Sequence, residues 1–314
     1  MKVILSETSL NSKRRPAVEA CLGIFDGLHR GHASILRRIT AGTKKGRIKS
    51  LLISFFPHPR YFYQKRFPGY LTTNQELASI LASLGLDYFW VVKFNKRISR
   101  MGGDEFIDYV NKFFDIKKIV VGEGFRFGYK AGSSTRDLRR FCRVRGIGVE
   151  VVPRLREKGR IINSSLIRRL VKRGDFKSAK VYLGRPYSFN AHPVPGRGIG
   201  SRSLGVPTVN IDTGNKVLPR PGVYISLLKY KNRMYPAVSN LGSSPSIAKR
   251  RIVLETHILG FNKKVSPAPL EVVFVKYLRA ERRFTSLKRL KKQINKDINT
   301  AKKFFTNHNI LRLP

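Results

Sequence analysis

Residues 23–36 read GIFDGLHRGHASIL, and this stretch decides how the first half of the chain folds. A short β-rich run, residues 21–24, leads through Gly, Asp and two histidines into a helical pattern that carries Ile35, Leu36 and Ile39 on one face. Such a turn suits phosphate binding, because glycines let the backbone approach a ligand and a helix N-terminus offers free N–H groups. The sequence therefore predicts a phosphate-handling loop between a strand and a helix.

Two histidines in this loop, His29 and His32, are the candidate phosphate ligands. Histidines three residues apart are more often incidental, or a weak candidate for metal binding. The flanking Gly27 and Gly31, which allow close approach, favour the phosphate interpretation here. Asp26 has two open interpretations: it either orients donors within the loop or simply ends the strand.

The stretch resembles the HxGH signature of the nucleotidyltransferase superfamily, in the GxFDGxHxGH form used by the FMN adenylyltransferase module of prokaryotic FAD synthetases. Three further stretches resemble that module in the same order: FFPHP at 55–59, VVGEGFRFG at 120–128 and NSSLIR at 163–168. Taken alone, FFPHP also fits a rigid turn at a sheet edge and FRFG an aromatic core strand. Together they identify the module, and the resemblance implies transfer of AMP from ATP to FMN.

The resemblance also implies the residue roles of this first reaction. His29 and His32 would hold the ATP phosphates and stabilise the charge of the departing pyrophosphate, while the FMN phosphate itself attacks. The implied ATP site consists of Gly23, Phe25, Asp26, Gly27, His29, His32, Ser164, Ser165 and Arg168. The implied FMN site consists of Phe55, Pro57, His58, Phe125 and Arg126.

The remainder of the first half alternates β-rich runs with helical patterns. Strand, helix and strand in repeated order predict a doubly wound parallel sheet, a Rossmann-like α/β domain. The predicted strands are residues 3–5, 21–24, 50–55, 88–92, 118–121 and 148–152. The predicted helices are residues 33–39, 74–84, 104–114, 165–172 and 175–182.

The composition changes at Leu183, after which the chain is rich in Gly and Pro up to residue 222. Short extended segments at 223–229, 252–259 and 270–277 predict a small antiparallel β-barrel. A last helix over 286–305 carries an apolar stripe that predicts packing against the barrel. The predicted domains are therefore residues 1–183 and 184–314, and the stripe consists of Leu287, Leu290, Ile294 and Ile298.

The Gly-rich segment 183–211 ends in Pro-Thr-Val-Asn, where Thr208 and Asn210 offer hard oxygen ligands suited to Mg²⁺. On composition alone this segment could also be a flexible loop. LGRPY, the Gly-rich loop and PT-x-N resemble the riboflavin kinase module, which binds ATP and magnesium there. The implied ATP site consists of Gly196, Gly198, Gly200, Thr208 and Asn210, with Thr208 and Asn210 as metal ligands.

The stretch LETHIL at 254–259 resembles the kinase strand whose glutamate takes a proton from the ribityl hydroxyl. This resemblance makes Glu255 the catalytic base, although an isolated glutamate on a strand is usually a solvent-facing residue. LRAERRF resembles the flavin-binding segment and implies that Arg279 and Phe284 contact the flavin. The whole chain therefore resembles the prokaryotic bifunctional riboflavin kinase/FMN adenylyltransferase family.

The sequence departs from that family pattern at several positions. Gly124 stands where the first module has Asp or Asn, and Val-Ser-Pro at 265–267 replaces Leu-Tyr-Gly. Ser246 and Ile247 replace Thr-Phe, and Gly260 replaces Asp. These changes leave open a chain in which only one module, the kinase rather than the adenylyltransferase, is active.

Composition and charge limit the other classes of function that the sequence allows. The 314 residues favour about two domains, and 63 Lys and Arg against 19 Asp and Glu give a net charge of +44 that attracts polyanions. A basic nucleic-acid-binding protein on a nucleotidyltransferase fold is the alternative, but no RNA-binding module supports more than non-specific attraction. Cys21 and Cys142 lack metal-ligand spacing, and no apolar run suits a signal peptide or a membrane span. We expect a cytoplasmic protein whose partners are riboflavin, FMN and ATP, and the sequence makes no prediction of oligomeric state.

Overall fold

The computed structural model describes residues 1–43, 46, 48–63, 67–194, 208–243, 252–261, 265 and 268–308. The chain divides into two units, Met1–Ser164 and Ser165–Pro314. The boundary expected after Leu183 from the change in composition stays a prediction.

The first unit is built on a parallel sheet, in which the described residues form six strands in the order β1-β4-β3-β2-β5-β6. The chain runs outward from β2 to β3 and β4 and then returns to the other side of β2, so the order reverses between β2 and β5. Ligands of doubly wound sheets bind beyond the carboxyl ends of the strands at such a reversal. The strands are β1 (Lys2–Ile4), β2 (Ala17–Leu22), β3 (Lys49–Phe56), β4 (Tyr88–Lys93), β5 (Asp115–Gly122) and β6 (Gly148–Val152).

Helices cover both faces of this sheet, so alternate residues of a strand enter different cores. Leu51 and Ile53 of β3 pack into one core with Trp90, while Leu52 packs into the other with Leu36. This arrangement confirms the predicted doubly wound parallel sheet. The helices are α1 (Arg30–Thr43), α2 (Pro59–Tyr63), α3 (Asn74–Ser83), α4 (Lys96–Arg100), α5 (Gly103–Asn111) and α6 (Thr135–Arg143), and a hairpin of β7 (Arg156–Glu157) and β8 (Arg160–Ile161) follows.

The second unit is a curled antiparallel sheet, which confirms the predicted barrel-like domain. Its described residues give seven strands in the order β10-β11-β14-β13-β12-β15-β9. The strands are β9 (Ser188–Ala191), β10 (Pro193–Val194), β11 (Val209–Asp212), β12 (Gly222–Tyr230), β13 (Arg233–Ser243), β14 (Ile252–Ile258) and β15 (Leu270–Arg279). The helices are α7 (Ser164–Arg173), α8 (Phe176–Leu183) and the C-terminal α9 (Leu287–His308).

The helix α8 packs on the sheet of this second unit through an aromatic cluster. The ring of Phe176 stacks on Phe274 at a centroid distance of 5.1 Å and meets Tyr224 at 5.7 Å. All three side chains are buried. The helix that precedes residue 183 therefore contributes to the core of the second sheet.

Three buried hydroxyls form a ladder across neighbouring strands of the second sheet. The side-chain oxygens of Ser226 and Ser239 lie 2.7 Å apart, and those of Ser239 and Thr256 lie 2.8 Å apart. All three residues are 0% exposed. Each hydroxyl thus finds a partner away from water, which offsets the cost of burying it.

Four sequence predictions need correction. The strand predicted at residues 21–24 is β2 at Ala17–Leu22, so Gly23 and Ile24 lie beyond it. The helix α1 begins at Arg30 rather than at residue 33, so His32 lies within its first turn. The strand β13 was not predicted, because a proline such as Pro236 argues against a central strand. The backbone carbonyl of Pro236 accepts from the N–H of Leu259. The pairing of β13 with β14 starts at the following residue, Ala237. The stripe on α9 is wrong at Leu287, which is 57% exposed. The side chains of α9 that are buried are Asp297, Ala301 and Phe305.

Within the ranges given above, every helix is too short or too polar to cross a lipid bilayer.

Candidate active sites

The two histidines of the loop before α1 form one stacked unit. Their ring centroids lie 3.6 Å apart with the planes at 15°, and the backbone N–H of His32 donates to Nδ1 of His29 at 3.2 Å. In a neutral His29 ring the proton then lies on Nε2, which makes that atom a donor. Phe25 packs against His32 at 4.8 Å, and His29 is only 5% exposed. The structure thus brings the predicted pair together at the N-terminus of a helix.

Glycines permit the tight path of this loop. Gly27 has a φ of +85°, and a Cβ there would lie 2.8 Å from Cδ1 of Leu71. A Cβ on Gly31 would lie 3.2 Å from the ring of His29. A larger residue at Gly27 would displace the loop, so packing and the positive φ require glycine there.

The carboxylate of Asp26 organises the loop, and it lies four residues beyond the end of β2 rather than ending the strand. Its Oδ1 accepts from the backbone N–H groups of Leu71 and Thr72 at 2.8 and 3.0 Å. Its backbone carbonyl accepts from the hydroxyl of Ser164 at 2.8 Å. Of the two sequence interpretations, the one in which Asp26 orients the loop is therefore the correct one.

The other predicted ATP-binding residues fall in different places. Gly23 follows β2 directly and has a φ of +151°. Ser164 lies at the start of α7, where its hydroxyl is bonded to the histidine loop. Ser165 and Arg168 are the next residues of that helix and belong to the second unit, and the Arg168 side chain is buried. The contact of these residues with ATP stays a prediction.

The predicted FMN residues of β3 and the turn after it lie among aromatic rings. Phe55 packs against Phe94 and Phe106, and the following Phe56–Pro57 peptide is cis. His58 is 9% exposed, and its backbone N–H donates to the Tyr70 hydroxyl at 3.1 Å.

Side chains that the sequence interpretation missed adjoin this turn. The helix α2 exposes Tyr61, Phe62 and Tyr63, and burial raises the pKa of the Tyr70 hydroxyl above its usual range. The signal for α2 was a run of three aromatic residues, Tyr61, Phe62 and Tyr63, which follows FFPHP after Arg60. Aromatic side chains that stay exposed suit the binding of a flat aromatic ligand.

Phe125 and Arg126, the other predicted FMN residues, occupy the loop after β5. The ring of Phe125 stacks on Phe127 at a centroid distance of 5.3 Å. The guanidinium of Arg126 donates to the carbonyls of Ala131 and Gly132 at 2.8 and 3.1 Å. Arg126 therefore holds its own loop in shape, and its contact with FMN stays a prediction.

In the second unit, a row of three polar residues crosses adjacent strands. Glu255 of β14 pairs directly with Asn210 of β11 on one side and with Asn240 of β13 on the other. Directly opposed residues place their Cβ atoms about 4.5–5.5 Å apart on the same face. Thr208 immediately precedes β11 and is half-buried. The predicted base and the predicted metal ligand Asn210 thus lie side by side.

A second carboxylate, that of Glu281, lies near this row. It accepts from the amide of Asn240 at 3.4 Å, and a Cβ on Gly242 would overlap it. Desolvation by burial, followed by repulsion from Glu281, raises the pKa of the Glu255 carboxyl. The sequence interpretation missed Asn240, because it did not predict the strand that carries it.

The predicted flavin residue Arg279 is held by α9. Its Nε donates to both carboxylate oxygens of Asp297 at 3.0 Å, and its Nη2 donates to Oδ2 at 2.7 Å. Gln293 donates to the same carboxylate at 2.8 Å, and Asp297 is 4% exposed. Phe284 is half-buried just before α9. The flavin contacts of Arg279 and Phe284 stay predictions.

Some predicted positions lie outside the described residues. These are Gly196, Gly198 and Gly200 of the Gly-rich loop, and Ser246, Ile247, Ser266 and Pro267 among the departures from the family pattern.

Two family models match separate parts of the chain. The model for FAD synthetase matches residues 11–166, and the model for riboflavin kinase matches residues 183–305. The chain belongs to the bifunctional riboflavin kinase/FMN adenylyltransferase family. Its histidine loop lies within the FAD synthetase match, and the row around Glu255 lies within the riboflavin kinase match.

Relatives over the full length agree with this assignment. A bifunctional riboflavin kinase/FMN adenylyltransferase of Buchnera aphidicola is 33% identical over 90% of this chain and 93% of its own. The enzyme of the same name from Escherichia coli K12 is 31% identical over 97% of this chain and 98% of its own. A crystal structure described as a macrolide-efflux protein from Streptococcus pneumoniae aligns with a TM-score of 0.82 at 22% identity, over 96% of this chain and 99% of that one. That likeness concerns the fold alone.

Proposed function

We propose that this chain phosphorylates riboflavin to FMN with ATP and then transfers AMP from a second ATP to FMN, giving FAD and pyrophosphate. The observation that carries the proposal is the presence, in one chain, of matches to FAD synthetase, which contains the histidine loop, and to riboflavin kinase, which contains Glu255. The full-length relatives bear the names of both activities. These comparisons do not favour the alternative of a nucleic-acid-binding protein.

In the kinase reaction, Glu255 is the general base. It accepts the proton of the primary ribityl hydroxyl, whose oxygen attacks the γ-phosphorus of ATP while ADP leaves. Burial and the neighbouring Glu281 raise the pKa of Glu255, which brings its basicity closer to the working pH. Asn210 and Asn240 lie directly opposite Glu255 on the two neighbouring strands.

Thr208 and Asn210 are the residues that we propose to hold Mg²⁺ beside the kinase ATP. Their hydroxyl and amide oxygens are donors of the kind that this hard cation prefers, and Asn210 lies opposite Glu255. When bound, Mg²⁺ neutralises phosphate charge during the transfer.

In the adenylyltransferase reaction, no side-chain nucleophile is required. A phosphate oxygen of FMN attacks the α-phosphorus of ATP, and pyrophosphate leaves with the electrons of the broken bond. Nε2 of His29, which the Nδ1 contact makes a donor, and the adjacent His32 ring stabilise the developing negative charge. The aromatic residues around Phe55 and His58 hold the flavin, and Ser164, Ser165 and Arg168 hold the triphosphate. We place both reactions in the cytoplasm.

A single time course tests the proposal. The purified chain is incubated with riboflavin, ATP and Mg²⁺, and riboflavin, FMN and FAD are resolved by chromatography. FMN should appear first and FAD should follow it. FMN that accumulates without FAD would limit the activity to the kinase, and unchanged riboflavin would contradict the kinase as well.

The two activities should separate on fragments. A fragment of residues 165–314 retains α8 and its Phe176 contacts, so we expect it to fold and to make FMN but no FAD. A fragment of residues 184–314 lacks those contacts and should be less stable, by roughly 3–5 kcal/mol for the lost aromatic side chain alone. Chemical denaturation of both fragments and the same chromatographic assay measure these differences. FAD made by either fragment would contradict the assignment of activities to units.

The pH dependence of the kinase should respond to Glu281. A general base acts only when deprotonated, so the rate falls as the pH decreases through the raised pKa of Glu255. Glu281→Gln removes the neighbouring negative charge, lowers that pKa and should move the acid limb of kcat/KM to lower pH. The pH profile of riboflavin phosphorylation measures the shift. An acid limb that stays in place would show that Glu281 does not influence the base.

A further inference from the structure

An arginine covers the backbone of Gly124, where the family pattern has the side chain of Asp or Asn. Gly124 is exposed and has a φ of +78°. A Cβ built on it would overlap Nη2 of Arg154 and would lie 3.3 Å from Cζ and 3.6 Å from Nε. The guanidinium of Arg154 thus occupies the volume that a side chain at position 124 would fill.

Contacts with Glu123 keep Arg154 in that place. Its Nε donates to the backbone carbonyl of Glu123 at 3.2 Å, and its backbone N–H donates to Oε2 of Glu123 at 3.2 Å. The backbone N–H of Glu123 in turn donates to the backbone carbonyl of Val152 at 2.8 Å. This hydrogen bond joins the ends of β5 and β6. The hydrogen bond from Nε to the Glu123 carbonyl therefore holds the guanidinium beside the ends of the two strands.

Among the described residues, the guanidinium of Arg154 forms no ion pair. Across the part of the chain that the structure describes, Arg154 has no carboxylate within 4.0 Å of its side-chain nitrogens. Only Nε donates to a protein group there, so the Nη1 and Nη2 donors remain available to an anion. The Nη1–Nη2 edge of a guanidinium suits two oxygens of a phosphate.

The location of Arg154 is the carboxyl edge of the parallel sheet. The strand β5 neighbours β2, whose end leads into the histidine loop. The end of β5 also touches α1, because a Cβ on Gly122 would lie 3.1 Å from Cδ1 of Ile35. Arg154 therefore lies at the edge where a doubly wound sheet binds its ligands.

We infer that Arg154 binds a substrate phosphate of the adenylyltransferase reaction, in the place that a side chain at position 124 holds in the family pattern. A cationic donor thus fills the volume in which the family pattern has the acceptor side chain of position 124, and a cationic donor attracts phosphate. The phosphate belongs to FMN or to ATP, and both present the same chemistry to a guanidinium. The inference rests on the proposed transfer of AMP to FMN.

Arg154→Met tests the inference in the full-length chain, with supplied FMN and ATP as substrates. Losing a charge-assisted hydrogen bond to phosphate should raise one KM by about tenfold or more. A higher KM for FMN with an unchanged KM for ATP assigns the FMN phosphate, and the reverse assigns the triphosphate. Riboflavin phosphorylation by the same variant serves as the check on folding and should stay unchanged.

Arg156→Met is the matched control, because Arg156 is an exposed arginine two residues further on that donates to the carbonyl of Gly159. It should leave both KM values within about twofold of the wild type. Arg154→Met with both KM values also within that range would overturn the inference. A wild-type chain that makes no FAD from FMN would overturn the proposed function itself, which is a different result.

Gly124→Asn tests directly whether the Arg154 guanidinium occupies the volume of a side chain at position 124. Alone it should lower FMN adenylylation, because the new side chain overlaps the guanidinium and Asn tolerates a positive φ less well than Gly. Combined with Arg154→Ser, it should be no more active than Arg154→Ser alone, because the guanidinium that binds the phosphate is then absent. Full activity of Gly124→Asn in the presence of Arg154 would overturn the placement of the guanidinium.

Discussion

Glu255→Gln is expected to lower riboflavin phosphorylation by about 10²–10⁴-fold, the usual loss when a general base is removed. A primary alcohol is a poor nucleophile at neutral pH, so its proton must pass to a nearby carboxylate as the oxygen attacks. Gln keeps the size and the hydrogen-bonding capacity of the side chain but cannot accept that proton. The loss should appear in kcat, while adenylylation of supplied FMN continues at the wild-type rate.

Glu271→Gln is the matched control for this experiment. Glu271 also lies on a strand of the second sheet, but β13 and β12 separate its strand from that of Glu255. The Glu271→Gln variant should phosphorylate riboflavin at close to the wild-type rate, because Glu271 is partly exposed and lies outside the row of Asn210, Glu255 and Asn240. Glu255→Gln within threefold of wild type would falsify the role of Glu255, and Glu281, which lies beside Asn240, would become the next candidate.

Replacing both His29 and His32 with Ala should lower FAD formation by about 10²–10³-fold or more, because even one donor that stabilises transition-state charge is worth that much. Riboflavin should still be converted to FMN at the wild-type rate and accumulate there. Rates of FAD formation from supplied FMN under saturating ATP measure the loss.

The stacked geometry of the histidines separates their structural and chemical roles. Nδ1 of His29 accepts the N–H of His32, so His29→Asn keeps an acceptor near the helix N-terminus but removes the imidazole donor. Loss of FAD formation in His29→Asn without loss of thermal stability would indicate a chemical role. His308→Ala, at the exposed end of α9, controls for the loss of a histidine. FAD formation at the wild-type rate in the double Ala variant would show that the histidine pair is purely structural.

The sequence predicted those parts of the sites that reside in continuous motifs. Gly, Asp and His before an apolar helical face have a local physical meaning, so the histidine loop and the parallel sheet could both be predicted. The start of α1 was misplaced because Gly31, in its first turn, is a poor helix former. The His29 ring lies where a larger side chain at this position would be.

Features that depend on pairing between distant segments could not be predicted. Asn240 lies beside Glu255 only through the register of β13, a strand disguised by Pro236 and Gly242. Arg154 and Gly124 meet because β5 and β6 end side by side, and neither residue carries a local signal of the other. Likewise, the sequence does not show that Asp297 of the last helix is the buried partner of Arg279 on β15.

The buried hydroxyl ladder of Ser226, Ser239 and Thr256 has a consequence for how the kinase site can be lost. Side chains alternate between the two faces of a strand, so a shift of β14 by one residue would exchange Thr256 with its neighbour Glu255. That shift would drive the carboxylate into an apolar interior and would leave Ser239 facing no hydroxyl. The ladder thus favours the native register of these strands. Glu255, the proposed catalytic base on the opposite face, therefore takes its position from contacts that touch no substrate.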